Sequence, residues 1–452
     1  MASAGCATPW WQAEMAGTSS PTAEIVAGDH VRPAVTLRVV SLCALAILAE
    51  GYDVGIMGAT LIALRNEPGW TSDPVALGFL SSASLFGMLL GAALIGSFSS
   101  RFGLRGPTAA CVAGFSAASI CCALAPTPLF LAGFRFLGGI AMGGIVPLAA
   151  AYTVEYSPER DRLRNYGLMY SGYSFGIMAV ALLAILMVPL AGWRSLFWLG
   201  GVPLLLVPVL LSRLPESLQF LASRGRMADA ERVAAELDIE PALVGKMARP
   251  ATETLRPIDA VRVLFARAHL RATVFFWLSL GLGLMLAYAA GTWLPSIMRD
   301  RGFPVGSSLG VLVTFSLASA FGGIIAGYLA DRFGPRRVIA FAFATGALAF
   351  TGLARVESQV IASILAGLAG FGSVSAALTL TGFTTGWYPP EVRATAIGWA
   401  LSFARIGAIA GPIVIGAIVA LSGNDPGRSL LAMGAISLVP AVLVLLIPQR
   451  RV

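Results

Sequence analysis

Glu50, Gly51, Tyr52 and Asp53 stand in the middle of an apolar segment long enough to cross a membrane. Residues three apart on a helix share a face, so both carboxyls point the same way. An ionised acid at the centre of a bilayer costs about 2.5–3.5 kcal/mol on insertion scales. Such groups persist where they meet a wet cavity, pair with a cation or carry a proton. Two acids crowded in an apolar cavity cannot both ionise freely, and they titrate as a coupled pair. Asp53 is the first candidate for a proton carrier, with Glu50 its partner; a gate ion pair is the alternative role for Asp53.

Arg135 and Arg405 are the arginines that fall deep inside apolar segments. Arginine stays charged and offers a planar fork that binds a carboxylate through two hydrogen bonds. Either these side chains recognise a substrate carboxylate, or Arg135 pairs permanently with Asp53 or Glu50 and only holds helices together. Tyr288, Trp293 and Trp399 are aromatic candidates for contact with the same ligand. Tyr166, Tyr170 and Tyr173 recur at helical spacing and make one stripe, which either stacks on a ring or packs between helices near the interface. His30 and His269 lie outside the apolar segments and read as surface or interface residues.

The elements that position these residues follow from composition. The 452-residue chain is 57% hydrophobic and 12% charged, with a mean hydropathy of +0.80. Soluble proteins carry roughly 25% charge, so this surface must meet lipid. Twelve apolar segments have about the length a spanning helix needs: 37–62, 76–99, 107–125, 128–153, 166–190 and 193–212, then 271–296, 307–330, 337–354, 358–386, 394–421 and 429–447. Lysines and arginines number 23 on the side that holds both termini and 6 on the other. Termini and central loop are therefore expected in the cytoplasm. The same distribution explains the net charge of +8 without a nucleic-acid partner.

The expected organisation is a disordered tail over 1–36, a six-helix bundle over 37–212, a linker over 213–270, a second bundle over 271–447 and a short tail over 448–452. Met227 to Leu237 reads as a short amphipathic helix at the membrane surface. The five cysteines, Cys6, Cys43, Cys111, Cys121 and Cys122, have no metal-ligand spacing and imply neither a disulfide framework nor a metal. No phosphate-binding glycine loop and no Ser/His/Asp set is visible. No cofactor is expected, and an enzyme is the wrong class. The run Met142-Gly143-Gly144-Ile-Val-Pro147 predicts a bend in the fourth span.

The halves repeat. Gly96-Ser-Phe-Ser-Ser-Arg-Phe-Gly-Leu-Arg105 aligns with Gly327-Tyr-Leu-Ala-Asp-Arg-Phe-Gly-Pro-Arg336 at an offset of 231. Tyr156-Ser-Pro-Glu159 aligns with Tyr388-Pro-Pro-Glu391, and with one residue of slippage Gly176 meets Gly407. Parallel repeats of this kind place a substrate site between the halves, near the midplane.

At these residues the chain resembles the major facilitator superfamily over nearly all of 37–447, and within it the aromatic acid:proton symporters. Asp331-Arg332-Phe333-Gly334-Pro335-Arg336-Arg337 carries the superfamily's loop pattern. In the first copy Ser100 stands where the acid would be and Gly106 replaces a basic residue. Glu50-Gly-Tyr-Asp53 resembles that family's Asp-Gly-Tyr-Asp. Gly133-Phe-Arg135 and Tyr388-Pro-Pro-Glu-Val-Arg393 through Trp399 and Arg405 resemble its fourth-helix and tenth-to-eleventh-helix signatures. Leu214-Pro-Glu-Ser-Leu-Gln-Phe220 is shared with sugar porters. The resemblance implies an all-α membrane protein of twelve transmembrane helices in two pseudo-symmetric bundles. It implies a monomer in a bacterial inner membrane that imports a hydroxybenzoate-like acid with protons. It further implies gating roles for Arg101, Glu155, Asp331, Arg332, Arg336 and Arg393, with Glu155 expected in a salt bridge near Arg160 and Arg162. Import of a non-aromatic acid or sugar, drug:proton antiport and a transport-dead sensor stay open.

Overall fold

The computed structural model describes residues 31–239, 257–267, 269–388, 390–423 and 425–448, without the side chains of 96–100, 163, 257–260, 390, 391 and 394. Ser100, His30 and most of the expected tails therefore lie outside the described residues and side chains. Twelve helical spans are long and apolar enough to cross a membrane. They are α1 (Pro33–Arg65), α2 (Pro74–Ile95), α3 (Arg105–Ala123), α4 (Pro128–Glu155), α5 (Glu159–Ala191) and α6 (Arg194–Arg213). After the linker come α7 (Leu270–Asp300), α8 (Val305–Phe333), α9 (Pro335–Leu353), α10 (Gln359–Trp387), α11 (Thr395–Leu421) and α12 (Gly427–Leu445). No strand occurs among the described residues. In lipid every backbone donor and acceptor must be satisfied within the chain, and helices do this segment by segment.

Local chemistry sets several starts. Proline opens α1, α2, α4 and α9, where its missing N–H is no loss. The backbone N–H groups of Val75 and Ala76 donate to the Asp73 carboxylate at 3.3 and 3.0 Å, capping α2. The Thr127 hydroxyl accepts from the Phe130 N–H at 3.3 Å and caps α4. Between α1 and α2, Arg194 donates to Glu67 at 2.7 Å and holds that carboxyl below the usual carboxylate range.

The linker begins with Leu218–Ser223 and Met227–Glu236, the second close to the expected 227–237 helix. It is fastened to the first bundle. Tyr152 and Tyr156 donate their hydroxyls to the carbonyls of Pro215 and Glu216, at 3.0 and 2.7 Å. Arg32 pairs with Asp238 at 2.8 Å. This end of the molecule is called the linker face below, and the opposite end the far face.

Within the first bundle α1 packs along α5 and α2 along α4; within the second, α7 packs along α11 and α8 along α10. The repeat has a structural cause. A Cβ on Gly176 of α5 would lie 2.1 Å from the Leu48 carbonyl oxygen of α1. A Cβ on Gly407 of α11 would lie 2.0 Å from the Gly281 carbonyl oxygen of α7. Both glycines let backbones touch at equivalent crossings, as small residues do in membrane bundles. Where a bend was expected, the fourth span is interrupted: α-helix stops at Met142 and resumes at Ile145. Its counterpart α10 carries a π-helical turn at Phe371–Ser375, about the same offset further on. Between the halves, α1 meets α7, α2 meets α11 and α5 meets α8.

Replacing Gly407 by valine must push α7 and α11 apart. We expect a lower melting temperature and poorer monodispersity in detergent, by about 2 kcal/mol of overpacking. An unchanged melting curve would mean that the crossing is looser than its geometry.

Candidate functional site

Asp53 and Arg135 are both buried, 5% and 2% exposed, and they form an ion pair. One guanidinium nitrogen of Arg135 donates to Asp53 Oδ2 at 2.6 Å and to the Asp53 carbonyl at 3.0 Å. The other donates to Ser84 Oγ at 2.9 Å. The pair thus ties α1, α2 and α4 together inside the first bundle. Breaking such a pair leaves an uncompensated buried charge. Of the two roles open for Arg135, pairing with Asp53 is the one this conformation displays.

Glu50 is different. It has no exposed surface, and neither carboxyl oxygen has a hydrogen-bond partner. Arg405 of α11 is the cation whose charge acts most on it, with Asp53 next among the acids. Arg405 reaches across from the second half and makes a long 3.4 Å hydrogen bond to the Met88 carbonyl of α2. Tyr173 of α5 donates its hydroxyl to the Tyr288 hydroxyl of α7 at 3.0 Å, another link between the halves. The stripe stacks: Tyr166 on Tyr170 with centroids 6.1 Å apart, and Tyr170 on Tyr173 at 6.0 Å. Glu50 lies within electrostatic reach of Tyr170, Tyr173 and Tyr288, and Arg405 within reach of Tyr170 and Tyr288.

The candidate site therefore gathers Glu50, Arg405, Tyr170, Tyr173 and Tyr288, with Asp53 one turn further along α1 and paired with Arg135 of α4. It leaves two aromatic candidates aside. Trp293 is fully buried toward the far face, and its indole N–H donates to the Pro412 carbonyl at 2.8 Å. Trp399 is half exposed and stacks parallel on Trp277 at 6.1 Å.

The gating candidates form no ion pair with one another among the described residues. Arg101 and Arg332 lie over the rings of Phe102 and Phe333. Arg336 donates to the Leu445 carbonyl. Asp331 is exposed and Arg393 half-buried. The salt bridge expected of Glu155 is replaced by a cap: Glu155 accepts from the Gln219 N–H at 3.2 Å, while Arg160 pairs with Asp161. A carboxylate at a helix start satisfies donors that have no partner inside the helix.

Sequence reasoning passed over Glu216. Its carboxylate accepts from the N–H groups of Leu104, Arg105 and Ser217 at 2.7, 3.2 and 3.1 Å. It thereby caps α3 beside the loop that lacks its own acid. The signal was Pro215-Glu216-Ser217 itself, a carboxylate between turn formers just past α6. Ser84 and the pair Arg65–Asp300 were also missed.

Hydrogen bonds between the first six spans and the last six number five among the described residues. They are Tyr173 to Tyr288, Arg405 to the Met88 carbonyl, Ser82 to the Ile409 carbonyl at 2.8 Å, and Arg65 to Ser296 and Asp300. All lie at the middle or toward the far face.

Residues 39–390 match the family of sugar (and other) transporters. The chain is 33% identical over 423 residues to the benzoate transport protein of Acinetobacter baylyi, covering 92% of this chain and 90% of that one. It is 35% identical over 396 residues to the gallate transporter of Pseudomonas putida, covering 85% and 86%. The xylose transporter XylE from E. coli, in a partially occluded inward open conformation, has the same fold, with a TM-score of 0.73 over 93% of this chain and 99% of that one at 18% identity. With twelve apolar helices, a central acid–arginine cluster and these relatives, the protein is a multi-pass membrane transporter rather than an enzyme, and it belongs to the aromatic acid transporters of the major facilitator superfamily.

Proposed function

We propose that this chain imports an aromatic carboxylate together with a proton, by alternating access, as a monomer in a bacterial inner membrane with the linker face in the cytoplasm. The carrying observation is Glu50, fully buried with no hydrogen-bond partner on either carboxyl oxygen, on which the charge of Arg405 acts from the other half. The benzoate and gallate carriers among its relatives support the substrate class. The excess of basic residues on the linker side supports the orientation. Among the described residues the polar links between the halves lie at the middle and far face, which supports reading this conformation as open toward the cytoplasm.

Arg405 can satisfy one anion at a time. When Glu50 is ionised, that anion is Glu50. When Glu50 carries a proton, the guanidinium fork is free for the substrate carboxylate, and the ring lies against Tyr170, Tyr173 and Tyr288. A carboxyl without partners is far cheaper to bury neutral than charged, so proton and substrate enter together. Once the halves rock, substrate leaves to the cytoplasm, the proton follows through the opened linker face, and Glu50 returns to Arg405. One proton per monoanion moves no net charge, so the pH gradient drives uptake; each further proton would add about 2.3 kcal/mol per 100 mV. Asp53 stays on Arg135 and keeps α1 in position. This moves the carrier's role from Asp53 to its neighbour.

Glu50→Gln should abolish pH-gradient-driven accumulation of labelled benzoate or 4-hydroxybenzoate in proteoliposomes while keeping counterflow. Normal accumulation would remove Glu50 from the coupling. External alkalinisation on adding substrate marks symport; acidification would mark antiport. Arg405→Lys loses the fork and should raise KM about tenfold, the worth of one charge-assisted hydrogen bond. Asp53→Asn should instead be read in stability, lowering it by about 3–5 kcal/mol through the stranded Arg135. A melting temperature equal to wild type would show that the Asp53–Arg135 pair is not a fixed brace.

A further inference from the structure

α1 and α7 end side by side on the far face, and both end in a charge. Arg65 is the last residue of α1 and Asp300 the last of α7. One Arg65 nitrogen donates to Asp300 Oδ2 at 2.7 Å and to Ser296 Oγ at 2.8 Å. Among the described residues this is the one ion pair that joins the first six spans to the last six. Two turns below it the helices are in backbone contact: a Cβ on Gly58 would lie 1.9 Å from the Gly291 carbonyl oxygen.

We propose that Arg65, Asp300 and Ser296 form the latch of the far-face gate, which holds α1 against α7 while the linker face is open and lets go when the far face opens. The inference rests on alternating access as proposed above.

Three features suit a latch better than a brace. First, the pair spans two bodies that must separate once per cycle, whereas Asp53–Arg135 lies inside one of them. Second, it is wet. The side chains are 26% and 30% exposed, and a cavity of about 510 Å³ lined by Arg65, Asn66, Ser72, Ser296, Arg299 and Asp300 opens beside them. Water can take over both charges as they part, so opening carries little desolvation penalty; half-exposed ion pairs are weak for the same reason. Third, the charges are arranged unevenly. Arg65 suits the C-terminus of its helix, where carbonyl oxygens face outward, but Asp300 sits at the negative end of α7. Asp300 therefore gains more than an ordinary surface acid from a cation brought by another helix. Ser296, one turn earlier on α7, keeps the same nitrogen aimed at that end.

The test reads opening directly. Thr292 on α7 is 8% exposed beneath the latch, next to Gly58. A Thr292→Cys variant in a background without the native cysteines is labelled from the far face by a membrane-impermeant maleimide. We expect slow labelling with the latch intact and a rise of about fivefold with Asp300→Asn or Arg65→Gln, the factor a half-exposed ion pair is worth. The exchange Arg65→Asp with Asp300→Arg should return labelling toward the slow rate. Ser296→Ala, which keeps both charges and serves where a charge variant folds poorly, should give a smaller rise. Labelling unchanged in both single variants, or equally fast in the exchanged protein, overturns the latch. The readout needs neither substrate nor pH gradient: a latch that behaves as expected in a protein that accumulates no aromatic acid would refute the proposed function and leave the gate standing.

Discussion

Arg135 buried against Asp53 is the interaction on which the other placements depend. Neither charge could enter the bilayer alone, and together they are tolerated because Ser84 and the Asp53 carbonyl take up further donors of the guanidinium. That network fixes the rotation of α1 about its own axis relative to α2 and α4. Rotation, in turn, decides where Glu50 points. Asp53 is held inside the first bundle, and Glu50, one turn earlier on the same helix, is buried with no hydrogen-bond partner while the charge of Arg405 acts on it from α11.

The two halves share a backbone plan and divide the chemistry. Gly176 and Gly407 set equivalent crossings, and α4 and α10 depart from regular helix at matching places. Yet the first half supplies both buried acids, and the second supplies Arg405 and Tyr288. Repetition gives two bodies of one backbone plan; divergence gives an interface to which each contributes different polar groups. Tyr173 and Tyr288, hydroxyl to hydroxyl, mark that meeting at the centre, and Arg65 and Asp300 mark it at the far face.

Span number, the repeat, the interruption of α4 and the intramembrane acids and arginines could be read from the sequence because each rests on a strong penalty: unsatisfied backbone or bare charge in lipid. The direction of apolar side chains could not. A soluble helix announces its buried face by its polar one, but a helix between lipid and protein is apolar all round. Trp293 and Trp399 were expected at the ligand; Trp293 lies in the α7–α11 seam and Trp399 stacks on Trp277. The tyrosine stripe was recognised at helical spacing without any sign that Tyr173 would reach Tyr288, 115 residues away. Glu155 was expected in a salt bridge and Glu216 drew no reading, yet both accept backbone N–H groups around the linker and the start of α3, and the need for such caps depends on how helices end rather than on which basic residues are near in sequence.

The ion pairs also differ in how readily water could replace the partner. Asp53–Arg135 is nearly sealed, and exchanging its partners within a transport cycle would strand charge in a dry interior. Arg65–Asp300 is half wet and separable. Glu50 and Arg405 form no such pair: Glu50 is sealed with no hydrogen-bond partner, Arg405 is half-buried, and the charge of the arginine acts on the acid only through space. In the proposed cycle a proton on Glu50 would release the arginine from that influence, whereas water would part Arg65 from Asp300. Glutamate at position 50 keeps the carboxyl that the aspartate in the resembling pattern would supply and adds one methylene of reach.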